Sequence, residues 1–205
     1  MKDTSGRTIV LEAGDALIVV DVQNDFLPGG ALAVSDGDAV LEPLNRAIAL
    51  FRDRSLPVFL SRDWHPPEHC SFEASNGPWP PHCVQNTHGA AFHADLKIPE
   101  NALIISKGVR MTPDEYSVFL GRDKNNRDLD ECLRQFGIKR IFVGGLATDY
   151  CVLNTTLDGL KLGYRVCVLT DGIQAVNVEP HDGEKALEAM TQSGAVLTTT
   201  QALEV

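Results

Sequence analysis

Short, almost unbroken runs of Val, Ile and Leu alternate with segments of helical spacing along the chain. Ala16-Leu-Ile-Val-Val-Asp21, Leu56-Pro-Val-Phe-Leu-Ser61, Ala102-Leu-Ile-Ile-Ser106, Arg140-Ile-Phe-Val-Gly144, Tyr164-Arg-Val-Cys-Val-Leu169 and Ala195-Val-Leu-Thr198 each read as a strand. Strands without polar alternation need cover on both faces, the condition met by parallel sheets. The intervening patterns predict helices from Asp38 to about Arg54, from Leu129 to Phe136, from Asp149 to Leu162, and from about Asp182 to Ser193. In the first of these, Val40, Leu41, Leu44, Ile48 and Phe51 recur on one helical face, and Gly137 and Gly163 close the second and third. The expectation is an α/β fold: a three-layer α/β/α arrangement of a six-stranded parallel sheet with helices on both faces.

A chain of 205 residues, 43% hydrophobic, is long enough for one sizeable core, so residues 1–205 are expected to form a single domain. With 28 acidic against 18 basic residues the net charge is −10, and there is no basic stripe to offset it. Such a surface repels phosphate backbones and anionic lipid, so neither nucleic acid nor membrane is expected as a partner, while a homo-oligomer is left open. No apolar run approaches the roughly 18 residues of a spanning helix and the first residues hold no apolar signal core, which points to the cytoplasm. Five cysteines without regular spacing then read as reduced thiols.

Ligands of open parallel sheets bind beyond the carboxyl ends of the strands, so the polar residues following strands are the first candidates. They are Asp21, Asp63, His65, Lys107 and Cys151. Cys151 follows a strand, a glycine pair and what reads as the first turn of a helix, where free N–H groups and the macrodipole ease ionisation of a thiol. Asp21 ends an apolar run, a setting that raises a carboxyl pKa and suits proton exchange with a thiol; its bland alternative is an N-cap or a buried ion pair. Lys107 could hold Asp21 ionised and set a positive charge near a developing oxyanion, although a lysine after a strand is commonly solvated.

The segment from about 64 to 99 breaks the strand–helix rhythm and holds both tryptophans and five of the six histidines. Loops this long are usually functional or disordered, and its aromatic content favours the former, an inserted metal and substrate loop. Asp63 and His65 stand two apart on extended backbone, so their side chains can project to one side as two ligands of one metal. His82, behind two prolines, could supply a third. Two imidazoles and a carboxylate leave coordination positions open and suit one divalent ion, Zn²⁺ first, with Fe²⁺ or Mn²⁺ as alternatives. His69 could be a further metal-site residue or a loop histidine packed beneath the site. The pairs His69-Cys70 and His82-Cys83 also admit a structural Cys₂His₂ zinc, against which stands the absence of any C-x₂-C. Phe26, Trp64 and Trp79 could form an aromatic slot for a flat substrate. Neither Gly29-Gly30 nor Gly144-Gly145 belongs to a dinucleotide or triphosphate loop, so no organic cofactor is expected.

Taken in order, Asp21-Val-Gln-Asn-Asp-Phe26-Leu-Pro-Gly-Gly30, Asp63-Trp-His65-Pro-Pro, Trp79-Pro-Pro-His82-Cys83-Val, Lys107-Gly108 and Gly145-Leu-Ala-Thr-Asp-Tyr-Cys151-Val resemble the nicotinamidase group of the isochorismatase-like cysteine hydrolase family. The resemblance spans about Ala16 to Leu197. It implies a triad of Asp21, Lys107 and Cys151, a metal held by Asp63, His65 and His82, and an oxyanion hole from the backbone N–H groups of Ala147 and Cys151. It also implies a cis peptide bond between Leu146 and Ala147. Tyr150 stands where some relatives have histidine, the spacing from His65 to His69 differs among relatives, and Arg110 to Lys124 matches only loosely.

The implied small-molecule substrate is nicotinamide, cleaved to nicotinate and ammonia through a thioester, with pyrazinamide as a side substrate. Phe26 and Trp79 would hold the ring, the metal would bind the pyridine nitrogen, and water activated by Asp21 or the metal would release the acid. The alternatives are a related cysteine hydrolase of N-carbamoyl or ureido substrates, whose members generally lack these metal motifs, a metallohydrolase that does not need Cys151, and a non-catalytic zinc-binding domain.

Overall fold

The structure, a computed structural model, describes residues 8–204. After a two-residue strand β1 (Ile9–Val10), six strands form one parallel sheet: β2 (Asp15–Val20), β3 (Val58–Asp63), β4 (Leu103–Lys107), β5 (Arg140–Leu146), β6 (Arg165–Gln174) and β7 (Val196–Thr198). A last short strand, β8 (Leu203–Glu204), pairs in parallel with β1. The helices are α1 (Leu41–Asp53), α2 (Leu129–Gln135), α3 (Leu153–Lys161) and α4 (Asp182–Gln192).

Alternation along the buried strands divides the apolar side chains between two layers. Leu17, Val19 and Leu60 pack with Leu44, Ile48 and Phe51 of α1. Ala16, Ile18 and Val20 turn to the other face, against Leu133 of α2, Leu153 and Leu160 of α3 and Met190 of α4. The three-layer arrangement expected from the sequence is therefore present. Asp128 caps α2 by accepting from the Glu131 N–H at 2.8 Å, while the Glu131 carboxylate accepts from the Asp128 N–H at 2.8 Å.

The sheet order is β4-β3-β2-β5-β6-β7. Strand succession runs outward from β2 through β3 to β4, then restarts on the other side with β5. The switch point lies between β2 and β5, and the residues beyond their carboxyl ends are Asp21 and the segment leading to Cys151.

Three boundaries differ from the sequence expectation in ways that matter for function. β3 runs on to Asp63, so a residue expected just beyond the strand is its last member. β5 continues through the glycine pair to Leu146. Gly145 has φ +125°, and a Cβ there would lie 2.0 Å from the Val20 carbonyl oxygen, so the two central strands approach too closely for any side chain. The helix expected from Asp149 begins instead as a π-helical turn, Thr148–Val152, and becomes α-helical at Leu153. Such turns are frequent at functional sites. No described helix is long and apolar enough to cross a membrane.

At the opposite end of the sheet, buried Asp15 receives the Arg140 guanidinium in a two-pronged contact, Nε to Oδ1 at 2.7 Å and Nη2 to Oδ2 at 2.5 Å. Arg140 also donates to the Val10 carbonyl at 2.9 Å, tying β1 to β5. Arg140→Ala leaves a buried carboxylate without its cation and is expected to cost about 3–5 kcal/mol of stability. Urea denaturation would show this as a lowered midpoint.

Candidate active site and metal centre

The site grows from four strand ends. Asp21 follows β2 in left-handed backbone (φ +49°), an unfavourable conformation for a residue with a side chain, of the kind concentrated at functional sites. Its side chain is fully buried, and its Oδ1 accepts from the Ser61 hydroxyl at 2.7 Å. Lys107, the last residue of β4, has no exposed surface at all. Its ammonium lies 2.9 Å from Asp21 Oδ2, donates to Asp63 Oδ1, and stands 3.3 Å from Cys151 Sγ. The sequence alternative of a solvated lysine does not apply.

Asp21 Oδ2 pairs with the Lys107 ammonium at 2.9 Å, and a hydrogen bond with Asp21 is among the causes that raise the Cys151 thiol pKa. Burial raises the Asp21 pKa and the nearby Lys107 only partly offsets this. Burial alone would lower the Lys107 pKa, but Asp21 and Asp63 reverse the effect and hold it well above its usual value. Burial also pushes the Cys151 thiol far up, and Lys107 acts against this without overcoming it. This corrects the expectation of a thiol made readily ionisable by a helix start: Cys151 is too thoroughly desolvated, and its proton needs an acceptor close by.

Beside the triad, one ligand atom each from Asp63, His65 and His82 lies within 4.8 Å of the others. His65 Nδ1 faces the Gly108 carbonyl at 3.0 Å and His82 Nδ1 faces the Pro80 carbonyl at 2.8 Å. Each contact makes Nδ1 the protonated nitrogen and leaves Nε2 as a lone-pair donor, the arrangement typical of metal-binding histidines. Burial opposes ionisation of Asp63, yet Lys107 and His65 outweigh it and keep the carboxylate charged. Burial holds the His82 pKa down, whereas the nearby Asp63 carboxylate overcomes burial at His65 and raises it. The donor set fits a divalent ion.

His69 stacks on His65 with ring centroids 4.0 Å apart, and burial with the neighbouring His65 pushes its pKa down to about 4. Its Nδ1 faces the Ser71 hydroxyl at 2.7 Å, while Nε2 is buried with no described partner.

The sequence motifs supply the supports as well. Gln23, fully buried, accepts from the Asp63 N–H at 2.8 Å and donates to the Asp63 and Ala90 carbonyls at 2.8 and 2.9 Å. Asp25 accepts from the Cys83 N–H at 2.7 Å and the Ala31 N–H at 3.2 Å, fastening the long loop to the turn after β2. Asp149 accepts from the N–H groups of Val176 and Asn177 at 2.9 and 2.8 Å, which sets the far wall.

The cleft leading to Cys151 is lined by Phe26, Trp79, Tyr116, Ala147, Tyr150 and Val176, with Asp63 and His82 at its floor. The Leu146–Ala147 peptide bond is cis, as the resemblance implied. Phe26 and Trp79 thus line this cleft. Trp64 does not: its position between Asp63 and His65 on extended backbone turns it to the opposite side, under the Arg62 guanidinium at 3.7 Å from the ring centroid. Its place is taken by two tyrosines that sequence reasoning missed. Tyr150 packs edge-on against Trp79 at 5.1 Å, and Tyr116 accepts from the Trp79 indole N–H at 3.2 Å. Tyr150 was visible as the neighbour of Cys151, whereas Tyr116 lies in a stretch without periodicity.

Residues 15–202 match the isochorismatase domain. The chain belongs to the isochorismatase family. Among isochorismatase-family proteins it is 42% identical over 200 residues to the nicotinamidase of Escherichia coli K12, covering 90% of this chain and 94% of that one. The pyrazinamidase of Pyrococcus horikoshii, solved in complex with zinc, is 44% identical with a TM-score of 0.84, over 91% of this chain and 99% of that chain. PnC1 of L. infantum, solved in complex with nicotinate, is 38% identical with a TM-score of 0.86, over 96% and 98% of the respective chains.

Gly108 has φ +60°, and a Cβ there would come within 2.3 Å of the His65 ring. Gly108→Ala is therefore expected to displace His65 and weaken zinc binding by about 10–100-fold. Isothermal titration of the metal-free variant with zinc, compared with the parent, measures this.

Proposed function

We propose that this chain hydrolyses nicotinamide to nicotinate and ammonia through a thioester on Cys151, with pyrazinamide as a second substrate. The observation that carries the reading is the contact of one buried ammonium, Lys107, with both the thiol and the carboxylate that can receive its proton, beside a two-histidine, one-carboxylate donor set in the same cleft. The zinc complex of the P. horikoshii relative and the nicotinate complex of the L. infantum relative support it.

In this reading Asp63, His65 and His82 hold one divalent ion, zinc before iron or manganese. When bound, the ion supplies a Lewis-acid mooring for the pyridine nitrogen. His69, stacked on His65 with a partnerless Nε2, is an additional metal-site residue. Phe26 and Trp79, with Tyr116 and Tyr150, confine the flat ring so that the carboxamide carbon meets Sγ, and this positioning lowers the entropic part of the barrier.

Asp21 Oδ2 accepts the thiol proton as Sγ attacks, and Lys107 stabilises the sulfur as negative charge develops. The backbone N–H groups of Ala147 and Cys151 receive the oxyanion. Collapse of the tetrahedral adduct breaks the C–N bond, and Asp21 returns its proton to the departing ammonia. Asp21 then takes a proton from water, whose oxygen attacks the thioester carbon and frees nicotinate, and the proton passes to the sulfur.

The raised Cys151 pKa suits this order. A thiolate formed in advance would stand in a site too dry to stabilise it, whereas a proton moved during attack never leaves a bare charge.

Cys151→Ala is expected to lower kcat for ammonia release by about 10⁴-fold or more, and Asp21→Asn by about 10²–10⁴-fold, in a coupled ammonia assay. An acid quench of the wild type during turnover should carry the acyl adduct mass on Cys151. Full activity of Cys151→Ala would favour metal-based hydrolysis, and cleavage of a ureido compound with nicotinamide untouched would favour the carbamoyl and ureido hydrolases. Chelation is expected to abolish ammonia release while the circular dichroism spectrum stays unchanged, and added zinc to restore activity; unfolding on chelation would point to a structural ion instead.

A further inference from the structure

On the far side of β3 from the catalytic cleft lies a second, larger cleft of about 770 Å³, in the size range of metabolite sites. Its walls come from the edge strand β4 and the loop after Gly121. Arg62 and Trp64 line it together with Arg122, Lys124 and Arg127.

The charge here runs against the rest of the molecule. The whole chain carries a net charge of −10. Yet the cleft gathers Arg62, Arg122, Lys124 and Arg127 against only Glu100 and Asp123. Asp123 is already committed to Arg127, at 2.7 Å, and Arg122 reaches Asp128 only at 4.0 Å. Arg62 is the informative residue. It is half-buried, its Nε donates to the Ser106 hydroxyl at 2.9 Å, its plane covers Trp64, and no described carboxylate pairs with it. A guanidinium withdrawn from water is normally matched by an anion, because desolvation penalises an unmatched charge. Two of its three nitrogens are left for that role, in the forked geometry that receives a phosphate or carboxylate.

We propose that this cleft is a second ligand site, separate from the catalytic one, which binds the phosphate or carboxylate group of a small metabolite between Arg62 and Lys124. The concave shape and the single recessed guanidinium favour a small anion over a protein surface.

The test uses the full-length, metal-loaded protein, with inorganic phosphate as one probe and citrate as the other, at constant ionic strength set by chloride. Isothermal titration should show saturable binding of at least one probe. Both Arg62→Gln and the exposed-site variant Lys124→Glu should weaken it about tenfold or more. Ammonia release from nicotinamide without added anion should stay near wild type in Lys124→Glu, which separates this site from the catalytic one and guards against misfolding of Arg62→Gln. Binding of neither probe, or equal binding by wild type and Lys124→Glu, would overturn the proposal. So would phosphate-driven dissociation of a dimer in sedimentation velocity, which would assign the cleft to a carboxylate of a second copy. Because binding is read directly, the outcome stands whether or not nicotinamide proves to be the substrate.

Discussion

One ammonium group organises this site. Lys107 is sealed from solvent and surrounded by Asp21, Asp63 and Cys151, so it is at once the counter-ion of two carboxylates and a donor to the sulfur. In so dry a place a lone lysine would lose its proton, and two unpaired aspartates would take theirs up. The two carboxylates hold Lys107 protonated, and Lys107 in turn opposes protonation of both. The Asp21–Lys107–Cys151 cluster and the Asp63–His65–His82 donor set are therefore a single electrostatic unit, joined through Asp63, rather than two groups that happen to be adjacent.

The fold delivers this unit by geometry that the sequence partly displays. The strand runs were legible because parallel strands buried on both faces spell themselves as continuous Val, Ile and Leu, and the strand-end residues Asp21, Lys107 and Cys151 could be picked out on that basis alone. The pairing of Asp63 with His65 followed from the two-residue repeat of extended backbone. The same repeat, applied to Trp64, would have excluded it from the slot.

What was not legible depends on contacts between distant segments. Nothing local says that β5 must run through Gly144 and Gly145; the reason is the Val20 carbonyl, which comes so close that a side chain at Gly145 would collide with it. Tyr116 enters the cleft from an irregular segment and is fixed there by the Trp79 indole. β1 and β8 are two residues each, too short to print any pattern. The energetics of Cys151 were misjudged for a related reason: its place at a helix start is visible in the chain, but the burial that dominates its ionisation is a property of the assembled core.

Asp25 bears on how a molecule reaches the sulfur. Its carboxylate clasps the Cys83 and Ala31 amides, and Gly89 must lack a side chain because the carboxylate fills that space. Swinging the 64–99 segment aside would tear the Cys83 amide from the Asp25 carboxylate and the Gly89 carbonyl from the Asp25 N–H at once. The wall is thus riveted rather than hinged, and the aromatic rim of Trp79, Tyr116 and Tyr150 that it carries into the cleft keeps a narrow, flat opening above the sulfur.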